Sequence, residues 1–295
     1  MIESNQRRKA DKYAEYITSD VLRRYIADKV EKYCGDTPSV FDGAIGSGQL
    51  EQYIKPKELT GCDIQQESVD ACRLNFPNAK VTCTSFFNYD FNQSAFVDCV
   101  VMNPPFSIKF KDLSEEEQSN IQSFYSWKKS GVVDDVFVLM SLKLSKRYGF
   151  YILFPGLTYR KTERNFRELL NGHVVELNYV ANGFDDTGIQ VIILVVDKLK
   201  TYNSVHKEIF NCRTRQIEYE EECTDVEEFW RPPHKPVEKI EINPIELEIE
   251  VRAKIVSNLR KQLTLSELHC EFDEQIPPFS EFVNSIQDVV NEFRR

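Results

Sequence analysis

The sequence predicts an α/β protein built on a doubly wound, mostly parallel sheet of seven strands, with helices on both faces. Two observations predict it. Short apolar runs recur along residues 36–199, separated by glycine or by helical stretches, which is how strands covered on both faces read. A glycine-rich loop follows the first run and precedes a helical stretch, a place where a backbone can turn tightly and approach a ligand. The chain has 295 residues, 41% of them hydrophobic, enough for one large domain or one domain with an appendage.

The elements follow in order. Residues 5–33 read as helical, and Ser19 or Asp20 can cap a segment in which Val21, Leu22, Tyr25, Ile26 and Val30 recur at helical spacing. Seven β-type runs come next: Val40-Phe41, Leu59 to Ile64, Ala79 to Cys83, Phe96 to Met102, Phe150 to Phe154, Val174 to Val180, and Gln190 to Val196. Asp134 to Tyr148 is an amphipathic helix, and Gly149 ends it. Beyond Lys200 the pattern changes to an acidic stretch, Glu218 to Glu228, and a turn-rich Arg231-Pro232-Pro233-His234-Lys235-Pro236. Two more helices are predicted at Ile245 to Leu263 and Pro278 to Phe293. The expected organisation is an N-terminal helical element (1–35), the α/β domain (36–199) and an acidic, partly helical C-terminal appendage (200–295).

Charge and composition exclude several classes. The net charge is −10, and residues 200–295 hold 13 basic and 20 acidic residues, a balance of −7. The totals of 37 and 47 leave 24 and 27 for residues 1–199, a balance of −3, which permits a nucleic-acid substrate without advertising one. No apolar run approaches the roughly 18 residues of a membrane span. The polar stretch from Met1 to Lys12 lacks an apolar core, so a cytoplasmic location is expected. Eight cysteines without a CxxC pair read as reduced thiols, with neither a zinc site nor a disulfide framework.

Three motifs carry chemistry. The first is the loop Asp42-Gly43-Ala44-Ile45-Gly46-Ser47-Gly48. The second is Asp63, 21 residues beyond Asp42 at the end of the next strand, where a nucleoside ribose takes its hydrogen bonds, although an Asp there alone equally suits a helix cap. The third is Asn103-Pro104-Pro105-Phe106 at the end of Asp98 to Met102. Two prolines explain a strand-ending turn, but not the Asn before them or the aromatic after them. An Asn carbonyl and a proline backbone carbonyl make two acceptors for an –NH2 group, the prolines fix the carbonyl direction, and the aromatic ring can stack on a base.

In that order, these motifs resemble the S-adenosylmethionine (SAM)-dependent adenine-specific DNA methyltransferases, and most closely the modification subunits of restriction–modification systems. The resemblance covers residues 10–199 and implies a Rossmann-like methyltransferase domain whose cofactor is SAM, with no metal. Glu15-Tyr16-Ile17-Thr18-Ser19 is similar to the family's N-terminal element, which would complete the cofactor site. By resemblance, Thr18 and Asp42 would meet the methionine moiety, and Gly43, Gly46 and Gly48 would lie against the cofactor. Asp63 would bind the ribose and Ile64 would pack on the adenine ring. Ser85 and Phe86 occupy the position that meets the cofactor's adenine amine. Asn103 and Pro104, stiffened by Pro105, would hold the target amine, and Phe106 would stack on the flipped base. The sequence departs from the family at Ser19 and Gly43, where proline is usual, and at Ser85, where an acid is usual. The implied partners are DNA and a specificity subunit, or self-association through the C-terminal region. Other readings are methylation of an RNA base or a protein glutamine, and a non-catalytic partner-binding scaffold. The weaker candidates are also mostly bland: His173, His206, His234 and His269 are scattered. Arg160, Lys161, Arg164 and Arg167, and Lys128 and Lys129 beside Tyr125 and Trp127, would suit nucleic-acid contacts.

Overall fold

The computed structural model describes residues 18–91, 95–184, 188–233, 244–272 and 279–292. Glu15, Tyr16, Ile17 and His234 lie outside the described residues, as do the side chains of His269, Leu247, Phe282, Val289 and Val290. Helix α1 (Asp20–Cys34) buries Leu22, Ile26 and Val30. Of the two candidate caps, Ser19 is the one used, accepting from Leu22 N at 3.3 Å. Gly35, at φ 78°, closes the helix by donating to the Glu31 carbonyl.

Nine strands form one sheet: β1 (Ser39–Asp42), β2 (Glu58–Asp63), β3 (Lys80–Cys83), β4 (Val97–Met102), β5 (Ser145–Leu153), β6 (Val174–Ala181), β7 (Val191–Asp197), β8 (Val205–Asn211) and β9 (Gln216–Cys223). Their spatial order is β3-β2-β1-β4-β5-β7-β6-β8-β9. β1 to β5 are joined by parallel pairings, whereas β7 is antiparallel to both β5 and β6. β8 then pairs parallel with β6, and β9 antiparallel with β8. The expected seven-stranded, mostly parallel sheet is therefore corrected to a mixed sheet of nine strands, in which five of the eight pairings are parallel. An apolar run buried on both faces reads alike in either direction, and it is the short connection from β6 to β7 that turns the chain back. β9 escaped notice because its sequence, Gln-Ile-Glu-Tyr-Glu-Glu-Glu-Cys, carries the charges that protect a sheet edge. The expected boundary at 199/200 thus falls between two strands of one sheet, while the compact units divide at Lys235 and Pro236.

Side chains alternate between two cores, one on each face. Val100, Met102, Tyr151 and Leu194 enter the first, and Val101, Ile152 and Ile193 the second. Helices α1 and α2 (Gln66–Asn75) cover the second face, whereas α3 (Glu115–Phe124), α4 (Asp134–Ser141) and α5 (Arg164–Leu170) cover the first. The C-terminal unit holds α6 (Pro244–Phe272) and α7 (Phe279–Glu292). The chain leaves β1 towards β2 and β3 on one side and resumes at β4 on the other, so the crevice at the C-terminal ends of β1 and β4 is a topological switch point.

Candidate active site

Asp42 ends β1, buried, and accepts from Ala44 N at 2.7 Å. Gly43 follows under the Phe86 ring, whose Cδ2 would lie 2.3 Å from an added Cβ. A proline does not fit there, which accounts for the departure from the family pattern. Gly46 and Gly48 have φ of 53° and 76°, so the loop takes a course that side-chain-bearing residues rarely adopt. An added Cβ on Gly46 would meet nothing within 4 Å, leaving open space above the loop.

Asp63, at the end of β2, ties this loop down. Its Oδ2 accepts from Gly46 N and its Oδ1 from Gln65 N, each at 2.9 Å. Burial pushes its carboxyl above the usual range, and these two bonds oppose the rise. Beside it Ile64 is 62% exposed, an apolar face at the sheet edge.

At the switch point Asn103 leaves β4 with its amide fixed. Nδ2 donates to Thr18 Oγ1 at 3.1 Å, while Oδ1 is buried and has no hydrogen-bond partner. Thr18 is held by a bridge to Phe184, and the Ser19 N–H donates to the Gly183 carbonyl at 3.1 Å. A proline at position 19 would lack that donor. Phe184 in turn meets Phe106 edge-on, with ring centroids 6.0 Å apart. Pro104 is buried, and Phe106 is 5% exposed. The turn closes at Ser107, a non-glycine residue at φ 65°, whose N–H donates to Asp134 Oδ1 at 3.2 Å. Asp134 is fully buried, and burial pushes its carboxyl up to about 7.

Other expected residues are engaged by the protein's own contacts or stand exposed. Phe86 lies in an aromatic cluster, stacked on Phe137 at 4.9 Å. Lys128 is 1% exposed and bound to Asp135 at 2.6 Å, so the nucleic-acid role considered for it is corrected to a buried ion pair. Arg167 donates to the Leu157 and Arg160 carbonyls, and Arg164 pairs with Glu168. Lys161 and Lys129 are exposed. Among the described residues, His206, Glu208 and Glu220 bring donor atoms within 4.8 Å of one another, but Glu208 is committed to Tyr25 and Lys29.

Two site residues have no motif in the sequence. Glu117 on α3 accepts a short hydrogen bond from the Ser85 hydroxyl, so a carboxylate does stand behind Ser85. Its sequence signal is the Ser114-x-x-Glu117 capping box, which reads only as a helix start. Glu51 is wholly buried against Asp42. An acid between Leu50 and Ile54, nine residues after Asp42, was its only trace.

The family model described as N-6 DNA methylase matches residues 1–229. The chain belongs to this family. None of the curated proteins matches the sequence. Among solved structures, the chain is similar to the methyltransferase subunit of a type I restriction–modification system from Streptococcus thermophilus, with 18% identity and a TM-score of 0.59 over 72% of this chain and 56% of that one. A candidate class I SAM-dependent methyltransferase from Listeria monocytogenes gives 14% identity and a TM-score of 0.55, over 66% and 65%. A chain of a type I restriction–modification assembly gives 15% and 0.58, over 91% and 68%. At these identities the likeness shows the methyltransferase fold. The chain spans a little over half the length of the Streptococcus subunit.

Proposed function

We propose that this chain is a SAM-dependent methyltransferase acting on the exocyclic amine of adenine in DNA. The observation that carries this reading is the buried, unpaired Asn103 Oδ1 at the switch point, beside Pro104 and on the same sheet edge as the glycine loop. A buried acceptor without a partner is costly and calls for a donor from the ligand.

The residues present fit the cofactor. The open space above Gly46 gives room for it, and Asp63, with a second lone pair on each oxygen, suits ribose hydroxyls. The exposed Ile64 suits a base, and Ser85 with Glu117 behind it lies at the neighbouring strand end. Asp42 would face the methionine end, with Thr18 nearby through Asn103. When bound, SAM supplies a methyl group on a sulfonium, whose thioether is a good leaving group. The target adenine is flipped from the duplex and brought against the Phe106 side of the crevice, where that ring is itself packed on Phe184. Its two amine N–H bonds point at Asn103 Oδ1 and the Pro104 carbonyl. Held by these acceptors, the nitrogen would direct its lone pair towards the transferable methyl and lose its surplus proton to solvent. Positioning supplies the catalysis, and no covalent link to the protein is needed.

Site selection is assigned to a partner or a second copy, because α6 exposes Ile245, Ile249, Val251, Ile255 and Leu259 while residues 200–295 are acidic. The test is incubation with methyl-labelled SAM and separate pools of duplex DNA, RNA and protein. Label is expected in DNA, at N6 of adenine after digestion. Label in RNA or in protein glutamine would replace the substrate, and no transfer to any pool would favour a non-catalytic scaffold.

A further inference from the structure

Glu51 lies in the short turn after the glycine loop, and neither of its carboxyl oxygens has a hydrogen-bonding N–H or O–H partner. It faces Asp42, equally buried, at the end of β1. The groups around this pair bring no compensating positive charge. Asp63 and Cys62 face it from β2, Cys72 from α2, Cys99 from β4 and Tyr151 from β5. The Arg23 guanidinium on α1 is bound to the Gln52 side chain. Among the described residues, neither Asp42 nor Glu51 forms an ion pair. Two carboxylates in contact and out of water cannot both stay ionised, so the pair holds a proton.

We propose that Asp42 and Glu51 together are a proton-coupled seat for the primary ammonium of SAM, which on arrival displaces the proton shared by the two carboxyls. The proposal rests on the cofactor reading above and adds Glu51 and the proton to it. The balance is simple. The ammonium keeps its three protons, the carboxyl proton passes to the buffer, and two carboxylates are left facing one cation. Burial pushes both the Asp42 and the Glu51 carboxyl above the usual range, so the empty pair keeps a proton that an arriving cation can displace. A cation seated there would account for two acids buried together where the loop meets the sheet, because a positive charge offsets their desolvation.

The test is titration calorimetry on the full chain near neutral pH, repeated in buffers of different ionisation enthalpy, which counts protons released. Three ligands are compared: SAM, S-adenosylhomocysteine, and 5′-methylthioadenosine, which keeps the nucleoside and lacks the amino-acid end. About one proton per molecule is expected from the first two and none from the third. Glu51→Gln keeps the shape and removes the shared proton. It is expected to abolish release and weaken SAM about tenfold, with the 5′-methylthioadenosine affinity unchanged. Binding of SAM without proton release, or equal release by 5′-methylthioadenosine, would overturn the seat while leaving the cofactor reading intact. No binding of any of the three would overturn both. Should Glu51→Gln fail to fold, the comparison of ligands on the unaltered chain decides alone.

Discussion

The Asn103 side chain is half satisfied: its Nδ2 is bonded to Thr18, and its Oδ1 is buried without a hydrogen-bond partner. Asn103→Ala is expected to lower methyl transfer at least about 10²-fold, the scale for removing one preorganised polar group, with SAM affinity in calorimetry little changed. Near-normal turnover in a single-turnover assay would remove Asn103 from the chemistry. Ser85 is a different case. From the sequence, an acid at position 85 is expected to tighten SAM. With Glu117 already bonded to the Ser85 hydroxyl, Ser85→Asp instead sets two carboxylates against each other. It is expected to weaken SAM binding above neutral pH, and a lower Kd would show that the two acids diverge. Asp42, Asp63 and Asn103 were legible because the first two end strands and the third directly follows one, in motifs of fixed spacing. Glu51 and Glu117 were not, since only the fold sets one beside Asp42 and the other, 32 residues on in sequence, beside Ser85.

α1 is fastened to the sheet by buried charge as well as by Leu22 and Ile26. Lys29 reaches Glu176 on β6 at 2.8 Å and Glu208 on β8 at 2.6 Å, and His206 Nε2 lies 2.9 Å from Glu208. Lys29→Met leaves two buried carboxylates short of a cation and is expected to cost about 3 kcal/mol in urea unfolding. The pH dependence follows from the same residues. Hydrogen bonding to Glu208 raises His206 above its ordinary value, although burial opposes it. Its contribution is therefore full below the unfolded histidine pKa of about 6.5 and is lost as pH rises through the folded value. Glu208 is brought down to about 2 by His206, Lys29 and Tyr25, against the effect of burial. Its contribution is present above the ordinary glutamate range and fades as pH falls towards 2. His206→Gln is thus expected to destabilise the chain in mild acid and to be nearly neutral in alkali. A pH-independent loss in thermal melts would break the link. None of this network could be read from the sequence, where His206 stands beside an acidic stretch and α1 is 150 residues or more away.

For the whole molecule, the sheet decides where the chain can be cut. β8 covers the outer edge of β6, Val205 and Phe210 are buried, and Phe229 and Trp230 join the core beyond β9. Lys207, itself buried, donates to the Glu228 and Arg231 carbonyls and pins that segment down. A chain ending at residue 199 is expected to lose cooperative unfolding in circular dichroism, because it opens the β6 edge and removes these side chains. A chain ending at Lys235 is expected to melt in one transition and bind SAM as tightly as the full chain. Loss of SAM binding in the longer piece would tie α6 and α7 to the cofactor site. The doubly wound plan was legible from seven apolar runs, whereas the continuation to β9 was hidden by its own charges: edge position and acidity go together physically and read as a loop.

The bond from Asn103 to Thr18 has one more consequence, for which bases the site tolerates. An amide free to turn could offer its NH2 to a keto oxygen as readily as its carbonyl to an amine. Here the NH2 donates to the Thr18 hydroxyl; turned over, the amide would accept from that hydroxyl instead and leave its NH2 unpaired in the crevice. In the orientation found, the side chain presents its acceptor to the crevice, and a base with oxygen at that position meets lone pair with lone pair. Duplexes carrying hypoxanthine in place of the target adenine should be poor inhibitors of methylation, and Thr18→Val, which frees the amide, should relax that discrimination.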